Sequence, residues 1–177
     1  KKVVMIIAAI FVAITAFAQT KEDMEASAAR IKKLQELCDK MPANTNVPEV
    51  DNYAQALLNA SLAAVENSVR LEHLYYRSIG ETKDGVTDVT IVKPSLEDLL
   101  ELSASIAAEA ASVAAAVKLA DASVKKVKEI RNPLQVAKVA LMAKFTVDVA
   151  PLLAEESAAQ VKAIANMIET AKSGTNL

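Results

Sequence analysis

Apolar residues recur in steps of three and four along four long stretches of the chain, which places each set on one face of an α-helix. The spacing predicts helices over residues 21–41, 50–79, 95–131 and 133–172. The third is the clearest, since the run from Ser95 to Ile130 contains neither Gly nor Pro. Small apolar residues dominate its stripe, which consists of Leu99, Ile106, Ala110, Val113, Val117, Ala120, Val124 and Val127.

Start signals lie where these stripes begin. Thr20 with Asp23, and Ser95 with Asp98, have the spacing of a capping box, in which two side chains satisfy free backbone N–H groups at a helix start. Pro133 suits the first position of the fourth helix, because proline has no N–H to leave unpaired there. The predicted boundaries therefore rest on capping chemistry as well as on periodicity.

Short connections make consecutive helices antiparallel, so the predicted fold is all-α, an antiparallel up-down-up-down four-helix bundle with Ala-rich heptad seams. Ala110, Ala140 and Ala143 are expected to line a close seam between the third and fourth helices. Pro151 falls inside the fourth helix, where we expect a kink. The heptad stripe expected to be buried there is Val136, Ala140, Ala143, Val147, Ala150, Ala154, Ser157, Val161, Ile164, Ile168 and Ala171.

The helices differ in length, and this predicts a gap in the bundle. At 1.5 Å per residue the first helix is about 30 Å long and the fourth about 60 Å. The first helix would therefore leave the lower part of the bundle uncovered. We expect the long loop at residues 80–94 to fill the gap, with self-association as the second option. Asp84-Gly85 marks a turn in that loop, which favours one short extended piece, with a small hairpin as the alternative.

The chain begins with features typical of a secretory signal peptide. Lys1 and Lys2 precede an apolar run, residues 3–17, that is shorter than the roughly 20 residues of a membrane-spanning helix. Ala16 and Ala18 then place small residues at the two recognition positions just before a predicted cleavage site, between Ala18 and Gln19. We expect residues 1–18 to be removed and the protein to be exported, to the periplasm or outside the cell. An uncleaved segment would instead leave it associated with a membrane.

Composition predicts one globular domain over residues 19–177. Apolar residues make up 53% and charged residues 24% of the 177 positions, which is a balance typical of folded proteins rather than disordered ones. The net charge is −2 and no block of basic residues interrupts the alternation of charges. A nucleic acid partner is therefore not expected.

The residues that usually carry chemistry are scarce. A single histidine, His73, and a single cysteine, Cys38, cannot make a His/Cys zinc site, and the Glu-x-x-His pairs of di-iron bundles are absent. We therefore expect no metal, no cofactor and no catalytic residues, with a hydrolase as the residual alternative. Cys38 is expected to be a buried thiol, or else to form an intermolecular disulfide. Glu109 and Lys118 are expected at two solvated edges of the third helix.

Tyr75, Tyr76 and Arg77 form the one predicted partner-binding patch, because Tyr and Arg are enriched at protein interfaces. The alternative is that these residues anchor the loop that follows them. Taken together, the sequence favours an exported, non-enzymatic helical bundle that acts as an envelope structural or protein-interaction component, with a protein partner or self-association. The alternative function is a carrier of apolar ligands or a protein that binds a lipid surface.

Overall fold

A computed structural model describes residues 20–174 and confirms the all-α class. It contains four helices, which are α1 (Lys21–Cys38), α2 (Pro48–Ile79), α3 (Leu96–Glu129) and α4 (Pro133–Ser173). Within residues 20–174 there is no β-strand, and the arrangement is consistent with a four-helix bundle. The predicted signal peptide, including its cleavage site at Ala18 and Gln19, lies outside the described residues.

Both predicted capping boxes form. The Thr20 side chain accepts a hydrogen bond from the backbone N–H of Asp23, and the Ser95 side chain accepts one from the backbone N–H of Asp98. In return, each aspartate carboxylate accepts a hydrogen bond from the backbone N–H of its cap residue. Gly80 ends α2 with φ of 70°, a left-handed conformation that costs glycine little. These local signals fix the helix ends, and α1 ends three residues earlier than predicted.

Two apolar clusters fill the bundle, one at each end. The upper cluster joins the start of α1, the end of α2, the start of α3 and the end of α4, through residues such as Met24, Leu71, Leu99 and Ile164. The lower cluster joins the opposite halves, through residues such as Ile31, Leu57, Val113 and Val149. Consecutive helices therefore run in opposite directions. Helices α2, α3 and α4 all pack against one another, and α1 packs on α2 and α4.

The lower end of the bundle is covered by the connection between α1 and α2. Thr45 and Val47 of this connection are buried, and Met41 packs on the lower cluster. The prediction that residues 80–94 would cover this end is wrong, because that loop leaves α2 beside the upper cluster. The loop holds one isolated antiparallel bridge, between Glu81 and Thr87, in place of a hairpin.

The predicted stripe of α4 is wrong over the first half of the helix. The buried residues there are larger side chains, Val139, Met142, Phe145 and Val149, whereas Ala140 is exposed and so does not line a seam. Val147, also predicted to be buried, is 70% exposed. Burying Met and Phe removes more apolar area from water than burying Ala, so the larger side chains set the orientation of the helix.

Candidate functional site: a buried polar layer

A layer of polar side chains separates the two apolar clusters. Each helix contributes to it at the point where one cluster ends and the other begins, between Met24 and Ile31 on α1, for example. The residues of this polar layer are Ser27 on α1, Asn67 and Ser68 on α2, Glu109 on α3, and Glu156, Ser157 and Gln160 on α4, all of them buried. Burying polar groups is costly unless they are hydrogen-bonded, so their partners decide what the layer does.

Glu156 is the best-satisfied member of the polar layer. Its side chain is 0% exposed and forms an ion pair with Arg30, whose Nε donates a 2.8 Å hydrogen bond to Oε2. The hydroxyl of Ser27 and the amide of Gln160 donate to Oε1. The Gln160 amide also donates a 2.8 Å bond to the backbone carbonyl of Ala64. This network ties α1, α2 and α4 together at one level.

Glu109 is the least-satisfied member. Glu109 is 2% exposed. Its carboxylate accepts one hydrogen bond, a 3.3 Å bond from the Ser157 hydroxyl to Oε2, and its Oε1 has no partner among the described residues. Burial raises the pKa of Glu109 from 4.5 to about 7; the hydrogen bond from Ser157 opposes the rise, and the charge of Glu156 adds to it. Glu109 is therefore a buried acid that titrates near neutral pH.

The prediction that Glu109 occupies a solvated edge is wrong. The residue lies between Ile106 and Val113, in steps of three and four, so it belongs to the buried stripe of α3. That position was the available signal, and a charged residue inside an apolar stripe is a candidate for burial. Glu156 and Gln160 gave no such signal, because neither lies on the predicted stripe of α4.

The space beside the polar layer is small. A cleft of about 170 Å³ opens next to Ser27, Arg30 and Gln160, with Asp23 and Lys162 also on its wall. Ligand pockets usually span about 300–1,000 Å³, so this cleft suits water rather than a substrate. Among the described residues no group of three or more His, Cys, Asp or Glu side chains could hold a metal ion. The chemistry that the layer supports is proton uptake at Glu109.

The predicted patch of Tyr75, Tyr76 and Arg77 lies at the other end of the bundle from the lower cluster. Tyr75 is buried in the upper cluster and Tyr76 is partly buried, with their rings in a T-shaped contact at 5.5 Å. The Arg77 Nε donates a 3.0 Å hydrogen bond to the carbonyl of Val92, and its guanidinium lies 3.8 Å from the Asp98 carboxylate. The hydrogen bond from Arg77 to Val92 of the loop favours the loop-anchoring alternative, and partner binding stays a prediction.

Two further residues singled out in the sequence lie outside the polar layer. His73 is exposed on α2. Cys38, at the end of α1, is half-buried, and burial raises the pKa of its thiol. No family model matches the chain, and no curated protein or solved structure is significantly similar to it.

Proposed function

We propose that this protein is an exported, non-enzymatic helical bundle that acts through its outer surface, as a structural or protein-interaction component of the envelope. The observation that supports this best is the exposed apolar face of α3. Among the described helices, α3 is the one long and apolar enough to cross a membrane by length and composition, and only 28% of its most apolar 18-residue stretch is buried.

The outer face of α3 is free of charge over its middle, residues 102–117. Between Glu101 and Lys118 the single charged residue is Glu109, which points into the bundle. The exposed apolar positions on this outer face are Ala104, Ala107, Ala108, Ala111 and Ala115. Apolar surface of this extent on a folded domain is typical of an interaction site. The cleft that opens beside the polar layer, in contrast, is smaller than a typical ligand pocket.

Making the outer face of α3 polar tests this proposal. The double variant Ala107→Glu/Ala111→Lys introduces a favourable pair at positions i and i+4, so the helix should stay stable. We expect chemical crosslinking of intact cells to trap wild-type protein in larger complexes and to trap little of the variant. The matched control is Ala29→Glu on α1, which forms the same kind of pair with Lys33. Wild-type protein that crosslinks only as a monomer would contradict the proposal.

The alternative, a carrier of apolar ligands, has less support. A carrier needs an apolar cavity, whereas the cleft beside the polar layer is small and lined partly by Asp23, Arg30 and Lys162. Binding to a lipid surface needs only exposed apolar and cationic residues.

Export is part of the proposal, because the chain begins with the features of a signal peptide. We expect the intact mass of protein purified from the native host to correspond to a chain that starts at Gln19. Removal of Lys1 and Lys2 changes the formal net charge from −2 to −4. A measured mass that includes the apolar run at residues 3–17 would contradict cleavage.

A further inference from the structure

The turn between α3 and α4 concentrates positive charge. Residues 118–144, named here the α3–α4 tip, carry seven Lys and Arg side chains and two carboxylates, a net charge of +5 in a chain whose net charge is −2. The two helices are antiparallel, so this segment lies at the lower end of the bundle, beside the α1–α2 connection and the first turn of α2. Asp39, Lys40, Glu49 and Asp51 of that neighbouring segment lower the net charge of this end from +5 to +3. The cations are Lys118, Lys125, Lys126, Lys128, Arg131, Lys138 and Lys144.

Most of these cations are available to a partner. Lys126 pairs with Glu129, and Lys144 pairs with Asp148. The hydrogen bond to Glu129 raises the pKa of Lys126, and the charge of Glu49 on α2 adds to the rise. Within residues 20–174, no carboxylate forms an ion pair with the other five cations of the tip. All five of those side chains are exposed.

Large apolar side chains accompany this charge. Leu134 is 80% exposed and Leu141 is 61% exposed, and they lie seven residues apart on one side of α4, with Ala137 between them. Val136 and Ala140 are exposed on the adjoining side of the same helix. The first half of α4 therefore presents a broad outer surface of apolar residues, whose charged positions are Lys138 and the ion pair of Lys144 with Asp148.

We infer that the α3–α4 tip docks on an anionic lipid surface, with Leu134 and Leu141 entering the headgroup boundary and the surrounding lysines facing acidic headgroups. Exposed apolar side chains on a helix flanked by cations are the features by which helices lie in a membrane interface. The outer face of one helix beside a turn is convex. A convex surface can insert into a flat, fluid partner such as a membrane, whereas a groove cannot. This inference rests on the proposed function, in which the outer surface binds partners, and it assigns an anionic lipid surface as the partner of the α3–α4 tip.

A second copy of the chain fits the tip less well. Most dimers are two-fold symmetric, so each residue group meets the same group on the partner. Two such ends, each of net charge +3, would then repel each other. Charge complementarity thus favours an acidic lipid surface over self-association.

Co-sedimentation of the full chain with vesicles tests the inference. The two probes are vesicles of phosphatidylcholine alone and vesicles of equal parts phosphatidylcholine and phosphatidylglycerol, each at low and high salt. Binding should be strong to the anionic vesicles at low salt and weak to the neutral ones. The double variant Lys125→Gln/Lys128→Gln should bind anionic vesicles about 30-fold more weakly, at about fivefold for each charge removed. The double variant Leu134→Asn/Leu141→Asn should bind anionic vesicles about tenfold more weakly than wild type.

Matched variants away from the tip serve as controls. Lys162→Gln/Lys172→Gln removes two exposed lysines from the upper end of α4, and Leu62→Asn/Val69→Asn removes two exposed apolar side chains from α2. Both should bind within about twofold of wild type, since these residues lie outside the docking surface. The apolar run at residues 3–17 is the same in every variant, so differences between variants report on the tip alone.

Several results would overturn the inference. Equal binding to neutral and anionic vesicles, or tip variants that bind like wild type, would exclude an anionic lipid partner. Tip variants that break up an oligomer in sedimentation equilibrium without vesicles would identify a second copy as the partner instead. If vesicle binding fails while crosslinked complexes persist in cells, the lipid inference is wrong and the proposed function stands; if both fail, both are wrong.

Discussion

Arg30→Met is expected to lower the free energy of unfolding by about 3–5 kcal/mol. The Glu156 carboxylate is 0% exposed and Arg30 is its one cationic partner, so the substitution leaves a buried charge without compensation. The hydroxyl of Ser27 and the amide of Gln160 remain, but neither carries a positive charge. Urea unfolding at neutral pH measures the loss, as a lower midpoint with an unchanged slope.

The matched control is Arg70→Met. Arg70 forms an ion pair of the same 2.8 Å length with Glu101, whose side chain is 73% exposed. Exposed ion pairs contribute about 0–1 kcal/mol to stability, so the free energy of unfolding of this variant should fall by about 1 kcal/mol at most. Equal losses from the two variants would mean that water in the cleft beside Arg30 compensates Glu156 as well as bulk water compensates Glu101.

Glu109→Gln is expected to raise stability above neutral pH and to leave it unchanged in acid. The pKa of Glu109 is raised from 4.5 to about 7 by burial, so the folded state binds this proton more tightly than the unfolded chain does. Stability from this group is therefore complete below pH 4.5, falls as the pH rises towards 7, and levels off above that. The full shift corresponds to about 3 kcal/mol.

The difference between wild type and Glu109→Gln isolates this group from every other titration. Urea unfolding across the range from about pH 4 to about pH 8 should show the variant equal to wild type at the acid end and about 3 kcal/mol more stable at the alkaline end. Glu101→Gln, at an exposed position, should follow wild type throughout. If the free energies of unfolding of wild type and Glu109→Gln changed with pH in parallel, Glu109 would be solvated and its pKa would not be raised.

The sequence is sufficient to predict the helices because their end signals are local. A capping box needs only two side chains three residues apart, and both Thr20–Asp23 and Ser95–Asp98 form as predicted. Gly80 closes α2 for an equally local reason, the left-handed backbone that glycine accepts. None of these depends on which helix packs against which.

The orientation of α4 and the polar layer depend on packing between helices, and there the sequence was insufficient. Its heptad of small residues is as regular as the row containing Met142 and Phe145, and periodicity alone did not choose between them. The row with the larger side chains faces the core, because its burial removes more apolar area from water. Glu156 is buried against Arg30 of α1, a partner that no pattern within α4 reveals, whereas the position of Glu109 in the stripe of α3 does indicate burial.

The central claim is that this bundle acts through its outer surface, and that the polar layer sets its packing and pH response. The most direct measurement compares the fraction of protein crosslinked into larger complexes in intact cells for two variants at neutral pH. Glu109→Gln, which changes only the interior, should retain the wild-type fraction, and Ala107→Glu/Ala111→Lys, which changes only the outer face of α3, should lose most of it. Loss of the complexes in Glu109→Gln, with retention in the surface variant, would contradict the claim.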